Sequence, residues 1–321
     1  MSQNNPDKAA PPVTAHEYVM AREQARAARD FARADELRTE LLAMGWLVTD
    51  TAAGPVLSPA PKFIVHDRAS GDGSELGASA KVLITVLVHG WQADADACVT
   101  ALLKHETVDY QILIVDIANQ DDVGDWAESL ARAHPARVSV LHLSAVADHW
   151  GRIHVDLMNR CSSEYYCVID PSSVVSGPAI THLCEVLDAN PDIVADGWRG
   201  ADVDVADNWR NVTNADGSVD VLLSYLMVIR ANVARIVSPD SKARFYRNAD
   251  IEWSLKIRDW HVGTYGTSAQ FWAVGDALPV TQGRHHGYHD TDPELRDRES
   301  RKTYDRILQH YRGRMDILKP R

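Results

Sequence analysis

Acids at the ends of apolar runs are the first sign of chemistry in this sequence. The stretch "EYYCVIDPSSVV" brings Asp170 in directly behind Tyr165 to Ile169, and Pro171, Ser172 and Ser173 follow it. "YQILIVDIANQDD" presents Asp116 in the same way. A carboxylate at the carboxyl end of a buried strand is a hard oxygen ligand for a divalent cation and an acceptor for ligand hydroxyls. The alternative for Asp116 is a strand-end acid that satisfies its own loop amides. A third acid, Asp250 in "NADIEWSLKIRDW", opens a helical pattern, where the helix dipole favours the ionised form. Such a carboxylate could take a proton from an attacking hydroxyl. Alternatively it only begins the helix, with Asn248 as the cap. Arg247 could orient Asp250 or touch a phosphate. "GRHHGYHD" gathers His285, His286 and His289, either ligands for a softer cation or plain polar surface.

The elements that carry these residues can be read from periodicity. "KVLITVLV", "YQILIVD", "RVSVLHL" and "YYCVID" are apolar and rich in β-branched residues, and they alternate with helical patterns at about 93–104, 121–134 and 151–161. That alternation predicts right-handed βαβ units and a mostly parallel sheet covered on both faces. Ligands of such sheets bind beyond the carboxyl ends of the strands, where Asp116 and Asp170 stand. After residue 190 the alternation fades into "DIVADGWRGADVDVADNWRNVTNADG", read as polar and turn-rich, before the strand "VDVLLSYLMVI". Its "DVD", Asp202 to Asp204, with Asp207 nearby, lacks an apolar strand and reads as a solvated acidic loop flanked by Trp198 and Trp209. A helix is also expected at about 293–312.

Ahead of the strands, residues 14–44 read as one helix. Thr14 and Glu17 form a capping-box pattern, Ala34, Leu37, Leu41 and Met44 form an apolar stripe, and Gly45 is suited to the C-terminus. "WLVTDT" reads as a strand and "AAGP" as a turn. The Pro-, Gly- and Ser-rich stretch that follows reads as a linker. The expected organisation is a helical segment at 14–59, a linker at 60–79 and an α/β domain at 80–315.

Composition narrows the classes. The 321 residues are 45% hydrophobic and 24% charged, with a formal net charge of −12. An acidic chain argues against a general DNA or membrane-surface binder. The four cysteines, Cys98, Cys161, Cys167 and Cys184, lack metal-site spacing and read as reduced structural thiols. The N-terminus has no apolar signal core, and no run approaches the roughly 18 apolar residues of a membrane span. A cytoplasmic protein without a transmembrane segment is expected.

Residues 80–312 resemble the family 2 glycosyltransferases of GT-A fold. "ITVLVHG" matches the opening strand that leads to the nucleotide pocket, through Val88 and His89. "ILIVDIANQDD" matches the strand ending in an acid that contacts the base or ribose, here Asp116. "GRIHVDLMNRCSSEYYCVID" matches the Gly, basic residue and first motif acid, as Gly151, His154 and Asp170. "ADIEWSLKIR" matches the helix whose acid is the general base, here Asp250, with Ala249 replacing the preceding Glu. The second acid of the D-x-D motif is replaced by Ser172, uncharged and a weak ligand.

The resemblance implies an inverting transfer of sugar from a nucleotide-diphosphate donor to an acceptor hydroxyl. It further implies a divalent cation, Mn²⁺ or Mg²⁺, held by Asp170 and a late histidine, with His286 favoured. His154 would contact the diphosphate when protonated, or be structural, and Trp198 and Trp209 could stack on an acceptor sugar. "ARAARDFARADELRTELLAMGWLVTDTAAGPVL" resembles the C-terminal helical tail of cysteinyl-tRNA synthetases, without their nucleotide-binding motifs or zinc cysteines. Acids interleave with its arginines, which argues against tRNA as a partner. Two alternatives to the enzyme follow: an inactive GT-A module that binds a nucleotide sugar or a partner protein, and a tRNA-associated protein.

Overall fold

The computed structural model describes residues 12–321 except 52–53, 61, 72, 120–121, 148 and 284–292. The chain divides into two compact units, Met1–Val65 and His66–Arg321, so the boundary falls inside the expected linker.

In the smaller unit the expected long helix is two, α1 (Val13–Ala27) and α2 (Phe31–Ala43). The chain turns at Arg29, which takes a left-handed φ of 61°, and Asp30 caps α2 by accepting the Arg33 amide at 3.1 Å. The capping box does not form, because Pro12 is the N-cap of α1 and Thr14 lies within the helix. Gly45, at φ 82°, ends α2 as its position predicts. The hairpin β1 (Trp46–Thr51) and β2 (Gly54–Pro59) follows. Ala15, Val19, Leu41, Trp46 and Val48 form the core of this unit. Arg22, almost wholly buried, makes two bonds to Asp50, at 2.8 and 2.9 Å.

The larger unit continues with β3 (Val65–His66), β4 (Val82–Val88), α3 (Gln92–His105), β5 (Tyr110–Ile117), α4 (Val123–Ala133), β6 (Val138–Leu143), α5 (Trp150–Arg160), β7 (Tyr165–Ile169) and β8 (Ser173–Val175). Then come α6 (Ala179–Ala189), β9 (Ile193–Val203), β10 (Val212–Ala215), β11 (Gly217–Ser218), β12 (Val221–Arg230), α7 (Ala231–Ile236), α8 (Ala249–Tyr265), β13 (Gln270–Ala273), β14 (Val280–Gln282) and α9 (Pro293–Tyr311). The main sheet runs β11-β13-β9-β12-β7-β4-β5-β6-β3, with β10 beside β9. Its heart, β6-β5-β4-β7, is parallel, and β12 is inserted antiparallel between β7 and β9.

The strands are apolar throughout because both faces are covered. On β4, Val82, Ile84, Val86 and Val88 enter one core cluster, while Leu83 and Leu87 belong to the other. Ile112 and Ile114 of β5 join the first, and Leu113, Val115 and Ile117 the second. Each large apolar side chain contributes roughly 1.5–3 kcal/mol by burial, whereas an unpaired charge there would be costly. Acids therefore appear mainly where strands run out. Asp196, inside β9 and wholly buried, is an exception, and burial pushes its pKa well above the usual carboxylate range.

Two expectations change here. The second part of the linker packs into the larger unit. Ala69 is buried, Arg68 pairs with Asp156 at 2.6 Å, and the Leu76 amide donates to the Arg160 carbonyl. The supposed polar loop after residue 190 is β9, eleven residues long and mostly buried. Trp198 and Trp209 are buried, 5% and 2% exposed, so neither offers a ring to a sugar. Asp202, within β9, is tied to Lys319 near the C-terminus at 2.6 Å, and Asp204 accepts the Asp207 amide at 2.9 Å within its own turn.

Candidate active site

Side chains alternate along a strand, and that alternation decides which strand-end residues share a face. A cleft of about 680 Å³, counted to its open mouth, lies at the carboxyl ends of β4, β5 and β7. Leu87 and His89 line it from β4, Ile117 from β5, and Val168, Ile169 and Asp170 from β7. Helix α5 adds Trp150, Ile153 and His154, β12 adds Ser224, and the loop before α8 adds Arg244, Phe245 and Tyr246.

Val88 and Asp116 are register partners across β4 and β5, and they fall on the other face, with Ile84 and Ile112. Neither is among the residues that line this cleft. Asp116 is instead engaged: one oxygen accepts the Asn119 amide at 3.1 Å and the other meets His142 Nδ1 at 2.8 Å. His142 Nε2 lies 3.2 Å from Glu128 of α4. These two carboxylates outweigh burial and hold the His142 pKa above its ordinary value. Asp116 thus serves its loop and a buried ion network, as the alternative reading allowed.

Asp170 keeps its place. Its amide donates to the Tyr225 carbonyl on β12 at 3.0 Å, which anchors the end of β7. Oδ1 accepts the Ser172 amide at 2.8 Å and the Ser172 hydroxyl at 2.7 Å. Oδ2 is buried and has no hydrogen-bond partner among the described residues. Ser172, where a second acid would stand, therefore turns its hydroxyl hydrogen onto the first. Leaving a buried carboxylate oxygen unmatched costs roughly 1–3 kcal/mol or more, which an arriving cation or donor hydroxyl would offset. The Gly283 amide donates to the Ser172 carbonyl at 3.1 Å, immediately before the histidine-rich segment. His286 itself lies outside the described residues.

His154 lines the cleft but differs in character from the expected cation. It is wholly buried, shares a 2.7 Å hydrogen bond with the Tyr166 hydroxyl through Nδ1, and meets the Trp150 ring edge-on at 4.6 Å. Burial pushes its pKa down to about 3, so it stands neutral.

Asp250 sits behind the cleft wall, 4% exposed. One oxygen accepts the amide of Ser224, a cleft residue, at 3.0 Å, and the other accepts the Ile251 amide at 2.9 Å. Its own amide donates to the carbonyl of Tyr246, also in the wall, at 3.1 Å. Desolvation outweighs these bonds and raises its pKa to about 6. Burial thus works against the ionised form that the position at the start of α8 was expected to favour. Asn248 does not cap α8; its side-chain amide donates to Ser300, to the carbonyl at 3.0 Å and the hydroxyl at 2.9 Å. Arg247, half-exposed, faces Asp297 at 3.9 Å rather than Asp250.

Several cleft residues carried no early signal. Leu87 and Ile117 could have been found by strand parity, counting in twos from Asp170 and its neighbours. Trp150 and the run Arg244 to Tyr246 could not, because a loop brings them in. Gly151 explains how: its amide donates to the Ala243 carbonyl at 2.9 Å, and a Cβ there would overlap the Asp240 carbonyl. Only glycine lets α5 approach this loop so closely.

The fold family implies a divalent cation. Among the described residues no three His, Cys, Asp or Glu side chains converge as a metal cage. The donor set fits a cation shared with substrate phosphates, for which one carboxylate oxygen such as Asp170 Oδ2 suffices on the protein side.

The larger unit therefore has the GT-A fold of nucleotide-sugar glycosyltransferases, with a cleft at the strand ends where that fold binds its ligands. Solved structures agree. A mannosyltransferase from Pyrobaculum calidifontis, in complex with GDP-mannose and Mn²⁺, matches with a TM-score of 0.50 and 12% identity, over 71% of this chain and 62% of that one. GalNAc-T7 with UDP, GalNAc and Mn²⁺ matches with a TM-score of 0.56 and 11% identity, over 72% of this chain and 48% of that one. Residues 10–54 match the cysteinyl-tRNA ligase anticodon binding domain. The cysteine–tRNA ligase of Rubrobacter xylanophilus is 60% identical over 42 residues, which is 13% of this chain and 9% of the ligase. No described helix is long and apolar enough to cross a membrane.

Proposed function

We propose that the protein is an inverting glycosyltransferase that moves a sugar from a nucleotide-diphosphate donor to an acceptor hydroxyl. The observation that carries this reading is the buried, unmatched Asp170 Oδ2 in a cleft at the strand ends, with Asp250 bonded to Ser224 of the cleft wall. A divalent cation held by Asp170, with His286 as a further ligand, would neutralise the departing diphosphate. His89 and the neutral His154 offer polar contacts to the donor. Asp250 takes the acceptor proton as the hydroxyl oxygen bonds to the anomeric carbon. The bond from that carbon to the phosphate oxygen breaks, and the nucleoside diphosphate leaves with the electron pair. A base with pKa about 6 is mostly ionised at neutral pH yet basic enough to take the proton. No covalent nucleophile is needed.

The test is Asp250→Asn. Calorimetry should show donor binding unchanged, while release of nucleoside diphosphate during transfer falls by roughly 10²–10⁴-fold. Unchanged turnover would remove Asp250 from the mechanism. A second reading, donor binding without transfer, is favoured by Ser172, whose hydroxyl occupies Asp170 where a second acid would stand. Donor binding with no turnover by the wild-type protein would select it.

A further inference from the structure

Asp250 does not face the cleft by itself. It is 4% exposed, it is absent from the residues that line the cleft, and each of its carboxylate oxygens already accepts an amide. Ser224 connects the two. It lines the cleft, and its amide is the group that holds Asp250 Oδ2, at 3.0 Å.

Strand β12 is irregular at this point. It uses five residues, Leu223 to Met227, where β9 uses three, Gly197 to Arg199. A bulge of this kind takes peptide groups and side chains out of the ladder and re-aims them. Here the released groups serve the two acids of the site. The Ser224 amide goes to Asp250, while the Tyr225 carbonyl accepts the Asp170 amide at 3.0 Å and the Ser173 hydroxyl at 3.0 Å. The Ser224 hydroxyl is left with little. The residue is 2% exposed, and the only hydrogen bond from its hydroxyl among the described residues runs to the Met227 thioether at 3.7 Å. Sulfur is a weak acceptor, so a rotation about Cα–Cβ that exchanges this bond for one to a carboxylate is favourable. The same molecule shows that geometry elsewhere: Ser172 grips one oxygen of Asp170 with its amide at 2.8 Å and its hydroxyl at 2.7 Å. Ser224 already has its amide on Asp250 Oδ2, and the same two-point grip is open to it. His154 offers no competing route, because burial holds its pKa at about 3 and it takes no proton at neutral pH.

We propose that Ser224 is the proton relay between the acceptor hydroxyl and Asp250. The proposal rests on the glycosyltransferase reading above and deepens it. As the acceptor oxygen bonds to the anomeric carbon, its proton passes to Ser224 Oγ. The Ser224 hydroxyl proton passes in the same step to Asp250 Oδ2, so the serine ends as it began. The bond from the anomeric carbon to the phosphate oxygen breaks, and the nucleoside diphosphate leaves with the electron pair. The relay lets the base stay buried, where desolvation keeps it basic, while a neutral hydroxyl faces the ligand.

The experiment follows release of nucleoside diphosphate from UDP-, GDP- and dTDP-sugars with Mn²⁺, water serving as the acceptor, in the full chain as wild type, Ser224→Ala and Ser224→Thr. Donor binding is measured in parallel by calorimetry. Ser224→Ala should release nucleoside diphosphate roughly tenfold more slowly or worse. Its donor affinity should be unchanged, which also shows that the variant is folded. Ser224→Thr keeps the hydroxyl and should retain most of the rate. In mixtures of light and heavy water the wild-type rate should fall along a curve, because two protons move together, and the alanine variant along a straight line. Equal rates in the wild type and Ser224→Ala would overturn the relay. Equal losses in the alanine and threonine variants, or a straight line for the wild type, would overturn it too. The transferase reading survives that failure if Asp250→Asn still stops release. A wild type that binds no donor, or binds one and releases nothing, removes the transferase reading itself and the relay with it.

Discussion

Asp250 combines two properties that pull against each other. Its carboxyl is buried, and desolvation raises its pKa from 3.8 to about 6. A carboxyl whose folded pKa lies above the unfolded value favours the fold while protonated. That contribution is fully present below about pH 4 and is lost as pH climbs through about 6. At pH 8 the ionised form therefore costs stability, by up to roughly 3 kcal/mol. Urea unfolding should find Asp250→Asn more stable than the wild type at pH 8 and level with it near pH 4. The turnover of the wild type should rise with pH through about 6 as the base ionises. At this scale the placement of Asp170 behind β7 and of Asp250 in the first turn of α8 was legible from the sequence pattern. The neutral state of His154 was not, because it depends on Tyr166 and Trp150 packed around it.

Strand parity explains the pattern among the expected site residues. His89 and Asp170 share the cleft side, whereas Val88 and Asp116 lie one step out of phase and face α4. The parallel strands were readable because each is an unbroken apolar run, but a run that is apolar on both faces hides which face is which. Strand β9 escaped notice for a related reason. Its Asp196, Gly197 and Arg199 break the apolar pattern, and only the neighbouring strands make it a strand. Asp116, His142 and Glu128 form a staple between β5, β6 and α4 with its own pH signature. The His142 pKa is held above 6.5, so its contribution is fully present below 6.5 and lost as pH rises through the folded value. The wild-type melting temperature should fall across that window, and His142→Gln should flatten the dependence. An unchanged profile in the variant would remove the staple from the stability account.

On the scale of the whole molecule, every residue of the cleft belongs to the larger unit, His66–Arg321, and so do both of its extensive core clusters. The smaller unit has a core of its own. Deleting residues 1–65 should therefore leave nucleotide-sugar affinity within about twofold, measured by calorimetry, since additivity holds between sites without shared partners. A larger loss would assign the smaller unit a part in donor binding. The boundary at 65/66 falls within the stretch that composition marks as a linker, but how much of that stretch packs into the larger unit was not legible. Residues 66–79 look like a linker because they are rich in Gly and Ser, yet Arg68, Ala69 and Leu76 bind them to α5 and its end.

The central claim is that Asp170 marks a working donor site despite Ser172. It is tested most directly by titrating UDP-, GDP- and dTDP-sugars into the wild type and Asp170→Ala, with and without Mn²⁺. Metal-dependent binding of one donor class by the wild type, weakened at least tenfold in the variant, is the predicted result. Equal binding by both proteins, or no binding of any donor, would contradict it.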